Sequence, residues 1–195
     1  TSLDVSSNTA LTSLSCHHNQ LTSLDVSSNT ALTFLNCGSN PLDSLDVSSN
    51  TALTNLHCSS NQITSLDVSN NTALTSLYCN SNQLTYLNMK NGVTDQLHTF
   101  EVYDNSLTCI ETLHPTWATE NWTYENYNID AGVTFSESCA VQGNPDYTYV
   151  PDNNFEQALI NLNYDDTLDD FVLTENISGV TSLDVNGEGI SDLTG

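Results

Sequence analysis

Arginine is absent from this chain and Lys90 is its only lysine, against 24 aspartates and glutamates, so the formal net charge is −23. Nucleic-acid backbones are held by lysine and arginine that release counterions, which excludes a nucleic-acid partner. An anionic membrane surface is excluded on the same ground. Cations are the natural counterpart of such a chain, and calcium is the one cofactor its composition leaves open. No apolar run approaches the roughly 20 residues of a membrane span. Nor is there a signal peptide, a Ser-His-Asp order, a paired-carboxylate cleft or a glycine-rich phosphate loop. The chain opens on Thr1-Ser2-Leu3-Asp4, mid-repeat, and is expected to be a piece of a longer, processed protein.

Such acidity can accompany disorder, but the leucine spacing argues for order. Leu3, Leu24, Leu45, Leu66 and Leu87 are 21 residues apart, as are Cys16, Cys37, Cys58 and Cys79. Each period holds one sub-pattern twice, L-x-x-L-x-(V/C)-x-x-N, in halves of eleven and ten residues. A fixed period of this size marks a solenoid. Side chains alternate along a strand, so Leu24 and Val26 point inward while Ser23, Asp25 and Ser27 point outward. The second half repeats this with Leu35 and Cys37 inward and Phe34, Asn36 and Gly38 outward. Asn29 and Asn40 follow the strands, where an amide can satisfy backbone groups of its own and the next coil. The expected fold is mainly β: two short parallel strands per coil, each coil burying its leucines only against its neighbours.

The recurring frame over residues 1–110 resembles the leucine-rich repeat family, and within it the bacterial IRREKO subclass of nested ten- and eleven-residue units. Regularity decays after Lys90, and Leu107-Thr108-Cys109-Ile110 is the last recognisable piece. Residues 111–140 carry Trp117, Trp122, Tyr124, Tyr127 and Phe135. With Ala118-Thr-Glu-Asn-Trp122 and Phe135-Ser-Glu-Ser-Cys139 they resemble the C-terminal cap of Flavobacterium-type secreted repeat proteins. That resemblance implies rings covering the apolar end of the stack and a Cys109–Cys139 disulfide. A disulfide requires an oxidising compartment, hence a secreted or cell-surface location. Residues 141–150 read as a linker. Over 151–195, Asp152 is the expected N-cap of a helix bearing Phe155, Ala158, Leu159 and Leu162. Val180-x-x-Leu183-x-Val185 and Ile190-x-x-Leu193 then restart the frame, so this segment resembles the helical N-cap and first turn of a second array.

Three sets of residues are candidates for function. Asp4, Asp25, Asp46 and Asp67 form an outward acidic column that is either a solvated stripe or a row of weak calcium sites. One aspartate per coil with serines is a poor match to six to eight calcium oxygens. The four array cysteines are expected as buried thiols, because parallel side chains one coil apart do not meet disulfide geometry. The outward positions of the second strand vary from coil to coil while the frame repeats. Phe34, Asn36, Asn55, His57, Tyr78, Glu101 and Tyr103, with Tyr86 of the first-strand series, suit protein hot spots or stacking on sugar rings. The histidines show no metal-ligand spacing, and the acidic run Asp165–Asp170 lacks the calcium-loop pattern. The expectation is a non-enzymatic binding module that recognises a protein or polysaccharide through its outward face. A spacer or adhesin stalk is the alternative, and ice binding by the threonine series a remote one. Pairing of the open first coil with another copy's 151–195 segment would give head-to-tail self-association.

Overall fold

The computed structural model describes residues 1–139, 147–150, 152–165, 168 and 171–193. They fall into two units, Thr1–Glu137 and Ser138–Gly195. The first is a solenoid of stacked parallel strands with about six turns. Its elements, in chain order, are β1 (Ser2–Leu3), β2 (Ser13–Ser15), β3 (Ser23–Leu24), β4 (Phe34–Asn36), β5 (Asn55–His57), β6 (Ser65–Asp67), β7 (Ser76–Tyr78), β8 (Tyr86–Asn88), β9 (Thr99–Glu101), β10 (Cys109–Glu111), α1 (Pro115–Asn121) and β11 (Thr134–Ser136). Every strand pair in this unit is parallel. The second-strand sheet runs β2-β4-β5-β7-β9 without interruption, and the first-strand series forms β1-β3 and β6-β8-β10-β11.

Leucine spacing builds this stack directly. Leu14, Leu35, Leu56, Leu77 and Phe100 align in register across the second-strand sheet. Leu35, Leu56 and Leu77 are fully buried, as are Leu32, Leu53, Val26, Val47 and Val68. Burying one such side chain contributes about 1.5–3 kcal/mol, and in a solenoid that gain requires the neighbouring coil. The N–H and the hydroxyl of Thr33 both donate to the Thr12 carbonyl; Thr54 repeats this on Thr33, and Thr75 on Thr54. These hydroxyls therefore serve the coil-to-coil ladder. The cysteines form a buried column of free thiols, and burial pushes those of Cys37, Cys58 and Cys79 well up.

Two asparagine columns run through the stack, and the one-residue difference between the halves makes them unequal. After the second strand, Asn40, Asn61, Asn82 and Asn105 use both ends of the amide. Asn61 Nδ2 donates to the carbonyls of Cys37, Cys58 and Ser59 (3.3, 2.9 and 3.3 Å), and its Oδ1 accepts from Leu42 N–H at 3.1 Å. After the first strand, the extra residue closes a local turn instead: Leu32, Leu53 and Leu74 N–H donate to the carbonyls of Asn29, Asn50 and Asn71. Each of those asparagines donates two bonds to the preceding coil. Their Oδ1 atoms are buried without a protein donor.

The first-strand sheet breaks where the frame predicts a strand at Leu45. Its side chain is still buried, but no strand forms over residues 43–46. Pro41 stands at the position from which Gln62 and Gln83 donate their N–H to the carbonyls of Leu42 and Ile63. Proline has no N–H, so that rung is lost.

Aromatic residues end the stack. Phe100 closes the leucine column and lies against Trp122, centroids 3.8 Å apart and planes within 16°. Trp122 in turn meets Trp117 edge-on and Phe135 at a tilt. The free edge after β9 is satisfied by loop groups: Val102 N–H donates to Asn128 O, and the Asp130 carboxylate accepts from Asp104 and Asn105 N–H. On the other sheet, β11 pairs with β10 and carries the parallel stack past the last leucine frame, across α1. Cys109 and Cys139 form the disulfide.

The second unit contains β12 (Tyr147–Tyr149), α2 (Asn153–Asn161), β13 (Phe171–Leu173) and α3 (Thr174–Ser178), with β12 and β13 antiparallel. It thus begins before Pro151, within the span that reads as a linker, whose residues 141–146 lie outside the described ones. So do Asp166, Asp169 and Asp170 of the acidic run. Asp152 caps α2 as expected: its Oδ1 accepts from Asn154 and Phe155 N–H, while Oδ2 takes Ser191 N–H, the Ser191 hydroxyl and Asp192 N–H. The restarted frame over 180–193 forms no strand among the described residues. Leu183 is 40% exposed there, where Leu66 of the array is 1% exposed.

Candidate ligand-binding face

The second-strand sheet presents three outward columns. Ser13, Phe34, Asn55, Ser76 and Thr99 share one register, and Ser15, Asn36, His57, Tyr78 and Glu101 the next. His17, Gly38, Ser59, Asn80 and Tyr103 follow two residues further along the chain. Six of the eight expected ligand-contact residues therefore lie in two adjacent columns, and Tyr103 flanks them. Tyr86 does not join them. It lies in the first-strand sheet, beside Ser65 in register.

The aromatic residues of this face are half-buried because they cover one another. His57 stacks on Tyr78, centroids 4.1 Å apart and planes within 23°, and Phe34 leans on His57 at 5.5 Å. The rings stack along the column, so His57 has a ring on either side and the cluster offers edges and polar tips outward. Partial burial pushes His57 below its ordinary value, which favours the neutral ring. Asn36 Oδ1 accepts from Gly38 N–H at 3.2 Å, and the Ser59 hydroxyl donates to Asn80 Oδ1 at 2.6 Å. Gly38 has no positive φ to satisfy; a Cβ there would stand 3.2 Å from Ser59 O. The Ser59–Asn80 pairing was not legible in the sequence, although the coil-to-coil variation in that column pointed to the positions.

Charge is distributed unequally between the two halves of each coil. Residues 11–20, 32–41, 53–62 and 74–83 contain no Asp, Glu, Lys or Arg. The acidic residues of these coils lie on the first-strand half, where Asp4, Asp25, Asp46 and Asp67 are exposed. Their Oδ1 atoms close turns: Ser6, Ser27, Ser48 and Ser69 N–H donate to them at 2.8–3.0 Å. The serine hydroxyl bonds, then these backbone bonds, hold Asp4, Asp25 and Asp46 below the usual carboxylate range. An open groove of about 570 Å³ follows this column. Among the described residues, no three His, Cys, Asp or Glu side chains converge on a metal-sized site.

A second cluster lies at the C-terminal end of the first-strand sheet. Lys90 Nζ is 3.3 Å from the buried Glu111 carboxylate and donates to Glu137 O at 2.9 Å. The Tyr86 hydroxyl donates to Glu111 at 3.3 Å. Burial, then the neighbouring Glu111 charge, pushes Tyr86 up to about 12. The chain's only lysine is thus engaged in joining the last coils.

Comparison with known proteins agrees with the repeat frame. Residues 9–50 match the family model described as Leucine Rich repeats (2 copies). No curated protein matches the chain. Among solved structures, the functional domain of InlJ from Listeria monocytogenes, described as including a cysteine ladder, is 32% identical. That match covers 57% of this chain and 36% of that one, with a TM-score of 0.30. This chain therefore spans little more than a third of the length of that structure.

Proposed function

We propose that the array is a recognition module that binds a protein through its second-strand face, centred on Phe34, His57 and Tyr78, at the cell surface or after secretion. Leucine-rich-repeat solenoids serve generally as non-enzymatic, protein-binding scaffolds. The observation that carries the placement is the half-buried ring cluster in a charge-free band of an otherwise acidic solenoid. Aromatic residues at the centre of an uncharged patch are the usual hot spots of protein interfaces. Stacking on a polysaccharide needs open ring faces, and here the rings face one another, which favours a protein over a sugar. The disulfide supports an oxidising, extracytoplasmic setting, and the nested ten- and eleven-residue halves support the IRREKO subclass.

The test is a mixed array of extracellular proteins and polysaccharides probed with the purified chain, with calcium and with EDTA. The triple variant Phe34→Ala, His57→Ala, Tyr78→Ala is probed in parallel. Protein hits that weaken at least about tenfold in the variant are expected. Unchanged binding by the variant refutes the placement. Loss in EDTA moves the site to the aspartate column, and an absence of hits on either array supports a spacer or stalk instead.

A further inference from the structure

We infer that the occupant of this face is an extended, uncharged polypeptide segment bracketed by lysine or arginine. The inference rests on the protein-binding reading above and supplies the chemistry of its partner.

Charge is the first argument. Four successive second-strand halves are free of charged residues, and the net charge of −23 is carried elsewhere. Glu101 and Asp104 border the band at its C-terminal end, and the aspartate column runs along the other half of the same coils. A charged side chain pressed into the neutral band would lose its hydration without gaining a partner. Basic residues just outside the band meet the field of the surrounding carboxylates. Lys90, held on Glu111, lies outside the band.

Hydrogen-bonding capacity is the second argument. Asn36 Oδ1 is fixed on Gly38 N–H, so the amide's Nδ2 faces outward with no partner among the described residues. Asn80 Oδ1 is taken by the Ser59 hydroxyl. The His57 ring nitrogens and the Tyr78 hydroxyl also have no partner among the described residues; the neutral ring offers one N–H and one acceptor nitrogen, and the hydroxyl both donates and accepts. An outward amide N–H beside groups that both donate and accept, with the amide oxygens consumed internally, calls for an uncharged partner rich in acceptors. The main-chain carbonyls of an extended segment supply these at regular spacing and without charge.

A phage-displayed random linear peptide library panned against the purified chain tests this. Enriched peptides are expected to have uncharged cores flanked by Lys or Arg. Raising salt from about 50 to about 300 mM should weaken them several-fold. Tyr78→Phe keeps the ring stack and removes one hydroxyl, and should weaken binding about 3- to 10-fold. The Phe34→Ala, His57→Ala, Tyr78→Ala variant should abolish it. Enrichment of acidic or charge-indifferent peptides overturns the inference, as does binding that ignores salt and Tyr78→Phe. Binding of folded proteins at this face with no peptide enriched also overturns it, but leaves the protein-binding reading standing. Binding unaffected by the triple variant overturns both.

Discussion

Replacing Asn61 with alanine should cost more than replacing Asn50, although both substitutions delete the same buried amide from the same kind of stack. Asn50 Nδ2 donates to Val26 O and Asn29 O at 3.0 and 2.9 Å. Each of those carbonyls keeps a backbone donor in the variant, Asn29 N–H and Leu32 N–H respectively. The Asn50 Oδ1 receives nothing from the protein. Asn61 Nδ2 donates to three carbonyls, and the decisive difference is at its Oδ1, the acceptor for Leu42 N–H at 3.1 Å. Asn61→Ala leaves that amide buried and unpaired, at about 1–3 kcal/mol, beyond the losses common to both variants. With a urea slope of about 1–3 kcal/mol per molar, the two midpoints should differ by roughly 1 M. Far-UV circular dichroism in urea reads the midpoints, and hydrogen exchange reads the Leu42 amide itself. Equal midpoints, or a Leu42 amide still protected in Asn61→Ala, would refute the reasoning.

Other perturbations follow from the remaining polar contacts. The Ser191 hydroxyl and amide bonds hold the Asp152 carboxyl well below its ordinary range. A depressed folded value contributes stability that is fully present above the unfolded value of about 3.9 and lost as pH falls below it. Thermal melts should therefore show the second unit weakening below about pH 4, and Asp152→Asn should lower its neutral-pH stability and flatten that slope; an unchanged acid slope counts against the bridge. Lys90→Met removes the cation beside the Glu111 carboxylate, whose side chain is 5% exposed and keeps the Tyr86 hydroxyl. Because the Lys90 side chain is a third exposed, the expected loss is about 1–3 kcal/mol, less than for a fully buried pair. Trp122 fluorescence in denaturant should report it, with Glu111→Gln in the same chain restoring most of the loss; an unchanged midpoint in Lys90→Met contradicts the clasp. Cys37, Cys58 and Cys79 are fully buried with raised thiol values. They should resist a disulfide reagent until the array unfolds, and rapid labelling of the native chain would show a looser core.

The solenoid was legible because each leucine, cysteine and asparagine of the frame does the same physical task in every coil. Leu35, Leu56 and Leu77 fall where a period of 21 residues puts them, and the second-strand columns follow from strand alternation alone. Where the frame lapses, the sequence carried less. Pro41 was a readable warning that a rung would be missing, yet the leucine pattern around it still predicts a strand. The strand Thr134–Ser136 continues the stack without a leucine frame, because a helix and an aromatic plug supply the burial that leucines supply elsewhere. At the candidate site the sequence identified which residues vary, but not their orientation. That Phe34, His57 and Tyr78 turn their faces toward each other depends on side-chain torsions, which no spacing rule fixes. The Lys90–Glu111 contact joins residues 21 positions apart, and it follows from the register of β8 with β10, which lies beyond the regular repeat.

Hydrogen–deuterium exchange of the chain, free and saturated with a protein hit from the extracellular array, tests the central claim most directly. Added protection over Phe34–Asn36, Asn55–His57 and Ser76–Tyr78, with the Asp25–Ser27 and Asp46–Ser48 turns unchanged, is the predicted footprint. Protection confined to the aspartate turns, or to the cap after Cys109, would contradict it.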